Sequence, residues 1–201
     1  AVAGLRAPSV RDRCALPLVA LAAGLGSGAG GALTAFLVDF GVRSAGLAQA
    51  GAGLVFALAS LVSLAGRVAC GWTVDRRSQL RPYSLVGVLL VAGAAGDLLI
   101  GAGTPLLFVT GALVAFGIGW AWPGLVHFTV VARDPAVAAR ATGVLMTGFA
   151  TGSCISPLLL GQIARIFAFR TVWLAAAAAN LLAAVVLTAG SARARAAAPT
   201  R

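Results

Sequence analysis

Side chains able to do chemistry are sparse and scattered through apolar sequence. Histidine occurs once, at His127, and the acids are five aspartates, Asp12, Asp39, Asp75, Asp97 and Asp134. Neither lysine nor glutamate is present, so all 15 cationic side chains are arginines. The cysteines, Cys14, Cys70 and Cys154, stand far apart without Cys-x-x-Cys spacing, and one imidazole cannot complete a metal site, so they read as small core residues. No metal or cofactor is expected. Ser27 and His127 could form a nucleophile and base in a six-helix intramembrane serine protease, which requires the two within hydrogen-bond reach beside an oxyanion site. The sequence has no Gly-x-Ser-Gly motif, and an enzyme is not expected. Gly26 to Gly31 spells a dinucleotide-binding fingerprint but lies inside an apolar run with no preceding strand, so that reading is rejected.

Other polar residues suit solute contact better than bond breaking. Ser27 and Thr34 in the first apolar run, and Thr147 and Thr151 in the fifth, can offer hydroxyls to a solute or spend them on their own helix carbonyls. Trp120, Trp122 and Pro123 fall mid-way along the fourth run, where proline frees a carbonyl and kinks the helix, so that an aromatic segment could close over a substrate. His127 lies further along the same run, in the titration range that suits proton coupling, or else hydrogen-bonded as a neutral ring to another helix. Asp97 falls inside the third run, where a charged carboxylate costs about 2.5 to 3.5 kcal/mol, so it is expected to reach the headgroups or to be protonated. Asn180, mid-way along the sixth, is expected to join helices.

The elements that must position these residues are membrane spans. Sixty per cent of the 201 residues are hydrophobic, 10% are charged and the mean hydropathy is +1.00, which leaves too little polar surface to cover a water-soluble globule. About 20 apolar residues cross the hydrocarbon core as a helix. Six runs qualify: Cys14 to Val38, Leu47 to Gly71, Tyr83 to Ala102, Leu106 to Ala132, Ala141 to Ile163 and Thr171 to Ala189. The predicted fold is an all-α integral membrane bundle of six transmembrane helices over residues 14–190, with a cytoplasmic segment 1–13 before it and a cytoplasmic tail 191–201 after it. Its short connections make consecutive helices antiparallel neighbours.

Arginines mark the orientation. Arg6, Arg11, Arg13, Arg76, Arg77, Arg81, Arg133, Arg140, Arg193, Arg195 and Arg201 fall on the side that holds both termini, Arg43, Arg165 and Arg170 on the other, and Arg67 near a helix end. This asymmetry predicts cytoplasmic termini in a multi-pass protein of the plasma membrane. A net charge of +10 on a soluble domain would suggest nucleic acid; between apolar spans it fits the anionic leaflet of the bilayer instead. Glycines four apart, Gly24 and Gly28, Gly26 and Gly30, Gly148 and Gly152, predict close helix contacts. Met146 is the sole methionine, and the chain is expected to begin inside a longer reading frame.

The richest motif is the second connection. Gly71-Trp72-Thr73-Val74-Asp75-Arg76-Arg77, preceded by Gly66 and Arg67 and followed by Gln79-Leu80-Arg81, places a glycine, an acid four residues later and clustered arginines at a helix end. It resembles the signature loop of the major facilitator superfamily, Gly-x-x-x-Asp-Arg-x-Gly-Arg-Arg, in the copy between that family's eighth and ninth helices. Gly71, Asp75 and Arg76 match; Ser78 stands for the second glycine, and Gln79-Leu80 interrupts the basic pair. The run from Gly117 through Trp120, Trp122, Pro123 and Gly124, then Arg133-Asp134-Pro135, Gly143, Gly148, Gly152, Pro157 and Gly161, is similar to helices ten and eleven of bacterial members, the cyanate-permease-like group in particular.

The resemblance covers nearly the whole chain as a C-terminal six-helix half. It implies alternating-access permease activity on a small organic solute, which proton coupling could drive, and a partner in the missing N-terminal six-helix half. It also implies a latch at Gly71, Asp75, Arg76 and Arg67; the candidates for solute contact remain those read from the residues themselves, Ser27, Trp120, Trp122, His127 and Thr147. The first, second, fourth and fifth helices would face the cavity or the missing half, with the third and sixth peripheral. A nonfunctional or homodimeric half-transporter is the alternative within this architecture.

Overall fold

A computed structural model describes residues 10–76, 82–133 and 138–196. Every regular element among them is helical: α1 (Val10–Arg43), α2 (Gln49–Arg76), α3 (Pro82–Gly101), α4 (Pro105–Ala112), α5 (Trp122–Arg133), α6 (Ala138–Ile166) and α7 (Thr171–Ala196). Leu113–Ile118 and Gly119–Ala121 join α4 to α5 as a π-type and a 3₁₀ segment of one broken span. Six helices are thus long and apolar enough to cross a membrane: Leu16–Arg43, Gln49–Val74, Pro82–Gly101, Pro105–Val131, Ala138–Ile166 and Thr171–Gly190. In lipid a helix satisfies its own backbone, so alanine- and glycine-rich runs that would be marginal helices in water are stable there. The helical stretches overrun the predicted boundaries, as α1 starts at Val10 and α7 continues to Ala196.

Two connections need left-handed backbone, and glycine supplies it in both. Gly46 has φ +70° and Gly103 φ +75°. Around the first, Ser44 and Ala45 N–H groups donate to the Phe40 carbonyl and Leu47 N–H to Gly41, closing the end of α1.

α1 runs through the middle and packs on α6, α7 and α2. At the end of the bundle holding the first turns of α1, a core gathers Val19 and Ala23 with Leu90 of α3, Trp122 and Val126 of α5, Leu145 of α6 and Leu187 of α7. At the opposite end Leu37 and Phe40 meet Ile100 of α3, Phe108 of α4, Leu160 of α6 and Trp173 of α7. The two clusters draw on opposite ends of successive helices, which is the antiparallel order the short connections predict. Phe40 stands at the centre of the second, against Phe108, Phe169 and Trp173.

Helix pairing has an internal regularity. The first span pairs with the fifth (α1 with α6) and the second with the fourth; the first pairs with the sixth and the third with the fourth; the third and sixth (α3 and α7) pair with each other. Exchanging spans one to three with four to six swaps the first two of these pairs, swaps the next two, and maps the third–sixth pair onto itself. Because each triplet is odd, the second begins on the opposite side of the bundle, so these pairs follow the contact pattern of an inverted repeat, from which the fifth–sixth contact (α6 with α7) departs.

Candidate functional site

The break in the fourth span builds the site. Pro123 has no N–H to give the Gly119 carbonyl, and its ring crowds that carbonyl, which disfavours regular α-helix at this point. Upstream, Gly119 N–H reaches Val114 O instead of the residue four back, which is the wider π spacing. Here the span is squeezed from both sides. A Cβ on Gly117 would collide with Val62 of α2, one on Gly96 of α3 with the Ala115 backbone, and one on Gly119 with Gly93 of α3. Glycine at these crossings lets the irregular segment fit between two neighbours.

The break aims two tryptophans at the glycine-rich face of α1. Trp122 is 2% exposed and covers Gly26 beside Leu90, while the half-buried Trp120 covers Gly30, one turn further. The rings cross edge to face at 5.8 Å, and each lies 6.1 Å from Phe149 of α6. Trp122 Nε1 is buried with no hydrogen-bond partner.

α1 and α6 approach backbone to backbone, and the glycines predicted to allow close contacts lie in this seam. A Cβ on Gly148 would strike the Ala20 carbonyl, and one on Gly152 the Gly24 carbonyl and Ser27 Oγ. Two serines cross the seam in opposite senses: Ser27 Oγ donates to Phe149 O at 2.8 Å, with Gly24 O a further acceptor at 3.0 Å, and Ser156 Oγ donates to Gly28 O at 2.5 Å. Ser156 was not among the sequence candidates. It continues the Gly148, Gly152 stripe by another four residues, the signal that could have found it.

Of the five solute-contact candidates, Ser27, Trp120 and Trp122 therefore meet at one junction around Phe149. Ser27 is 1% exposed and bonded across the seam, so its hydroxyl holds helices together. His127 Nδ1 lies 2.7 Å from Pro123 O on its own helix. Exposed Thr147 donates to Gly143 O, also within its helix. Thr34 likewise bonds the Gly30 and Gly31 carbonyls of its own helix. Ser27 and His127 each spend their hydrogen bonds on a carbonyl elsewhere, and no hydrogen bond joins them among the described residues. Asp97 does not reach headgroups: it is fully buried and accepts from Asn180 Nδ2 of α7 at 2.9 Å. The sequence reading treated these two residues separately.

At the latch, the exposed Arg76 guanidinium lies 4.0 Å from the centre of the Trp72 ring one turn earlier, a cation–π contact. Arg67 is exposed, and Gly71 has open space where a Cβ would be. The side chain of Asp75 and residues 77–81 lie outside the described residues. α2 and α6 are the least covered spans, with 17% and 11% of their most apolar windows buried. Their outer faces present Leu54, Leu61 and Val68, and Ile155, Leu158 and Leu159.

No family model and no curated protein matches this chain.

Proposed function

We propose that this chain is the C-terminal six-helix half of a major facilitator superfamily permease that moves a small organic solute across the plasma membrane by alternating access. The observation that carries the reading is the pairing of the six spans as two inverted triplets, the construction such transporters use within each half. The near-bare faces of α2 and α6 support it, because the second and fifth helices are two of the four expected to face the cavity or the missing half; the other two, the first and fourth, are covered within this chain. A broken fourth span lined by tryptophans gives the half a deformable element beside its central helix. Both termini are cytoplasmic in this reading, and Gly71, Asp75, Arg76 and Arg67 form a latch that grips the N-terminal half in the outward-open state. Solute contacts fall to Trp120 and the carbonyls that the break frees. The spans carry no arginine or lysine at mid-depth, so the counter-charge for an anionic solute comes from the other half.

The test is flux. The full reading frame, reconstituted into liposomes, is expected to equilibrate at least one labelled solute from a broad panel of small organic acids, amines and neutral compounds. Absence of flux across that panel sinks the proposal.

A further inference from the structure

Among the described side chains, Asp97 is the acid that is fully enclosed, and nothing around it carries a compensating charge. Its Oδ2 accepts from Asn180 Nδ2 at 2.9 Å; its Oδ1 is equally buried and has no hydrogen-bond partner. α3 packs against α4, the π and 3₁₀ segments, α5 and α7. α4 and the two irregular segments contain no titratable residue. Those on the other elements, Tyr83 of α3, His127 and Arg133 of α5, and Arg193 and Arg195 of α7, lie toward the opposite end of the bundle. At the Asp97 end, Arg43 is paired with Asp39, Arg165 and Arg170 are exposed, and no ion pair with Asp97 forms among the described residues.

An ionised carboxylate in such a place would be uncompensated on every side, which hydrocarbon and helix interiors do not tolerate. A bound metal cation would need several oxygens. Asn180 turns its N–H rather than its carbonyl oxygen toward the carboxyl, and no group of metal-binding side chains occurs among the described residues. A proton resolves the site with the atoms already present, Oδ2 accepting from the amide and Oδ1 carrying the hydrogen. We propose that Asp97 and Asn180 form a proton-binding site buried between α3 and α7, occupied in this arrangement, whose deprotonation loosens α3 from the broken fourth span.

The mechanical link is adjacency. Gly96, the residue before Asp97, abuts Ala115 in the π segment, and Gly93, one turn earlier, abuts Gly119 in the 3₁₀ turn as well as the Asn180 amide. Releasing the proton to water leaves a carboxylate that must be hydrated. The seam able to open for that water is the one where α3 meets backbone whose α-helical hydrogen bonds are already interrupted. This inference stands on burial and on the Asn180 contact, independently of whether the protein transports a solute.

Infrared spectroscopy of the full chain in liposomes tests it. A protonated-carboxyl stretch is expected at neutral pH, lost reversibly as pH rises and missing from Asp97→Asn. Identical spectra for the two proteins overturn the proposal, as does a wild-type spectrum with no protonated-carboxyl band. Unfolding supplies a second reading. Where the folded chain keeps the proton and the unfolded chain has released it, raising pH increases the unfolding constant by up to about tenfold per pH unit. Wild type is expected to show that slope, and Asp97→Asn, which matches the neutral acid in shape and still offers a carbonyl to Asn180, is expected to be flat. Parallel slopes overturn the proposal. Stabilisation by added sodium that Asp97→Asn lacks also overturns it, in favour of a metal cation. Should the variant not fold, reversible loss of the band in wild type alone decides between the outcomes.

Discussion

Ser27 shows how one hydroxyl can be read two ways until its surroundings are known. In sequence it is a polar residue in a glycine-rich span, open to a solute; in the fold it is buried and donates to Phe149 O of another helix. Interhelical hydrogen bonds in membranes average only about 0.6 kcal/mol, because the separated helices also find partners. Ser27→Ala is therefore expected to lower stability by about that amount and to leave solute affinity unchanged, as measured by denaturant unfolding and by concentration-dependent uptake. A large rise in the half-saturating solute concentration with normal stability would return Ser27 to the binding site. His127 and Thr147 are likewise committed to carbonyls within their own helices. Trp120 differs, as a half-buried ring over Gly30.

Among the elements, the α1–α6 pair illustrates what holds helices together where the hydrophobic effect is silent. Lipid tails are as apolar as leucine, so association rests on close packing and on polar groups exchanged across the seam. Gly148 and Gly152 supply the first, Ser27 and Ser156 the second. Gly152→Val would push methyls into the Gly24 carbonyl and Ser27 Oγ, and overpacking of this kind costs about 1–3 kcal/mol. Gly143→Val on the same helix meets open space, and its effect is expected to stay within about 0.5 kcal/mol. Unfolding curves of the two variants side by side check this; equal losses would mean that the seam does not govern stability. The fourth span follows a different logic, since its irregular backbone is tolerated at depth because α2 and α3 cover it.

At the scale of the whole molecule, six alternating spans set which connections share a face. Single cysteines at Arg76 and Arg140 are expected to react with an impermeant thiol reagent from one side of the membrane, and cysteines at Arg43 and Arg170 from the other. In the proposed orientation, which rests on the arginine asymmetry, the first side is the cytosol. Labelling of the Arg76 and Arg140 positions from opposite sides would overturn both the architecture and the transport proposal. The same bundle leaves α2 and α6 poorly covered, so these two spans are where a partner half would add most packing.

Length and apolarity alone determined the number of spans and their order, with boundaries within a few residues, because a lipid-embedded helix needs only an uninterrupted apolar run to satisfy its backbone. Glycine spacing also foretold that α1 and α6 each carry a face for close helix contact, since small residues one turn apart share a helix face, but not that the two faces would meet each other. The tertiary structure alone decided which polar residues meet. Asp97 and Asn180 are 83 positions apart and Ser156 and Gly28 are 128 apart, and no periodicity within one helix reports which neighbour its face will find. Pro123 announced a break in the fourth span, but the π and 3₁₀ segments there fit between Val62 of α2 and Gly93 and Gly96 of α3, and that is set by packing between helices.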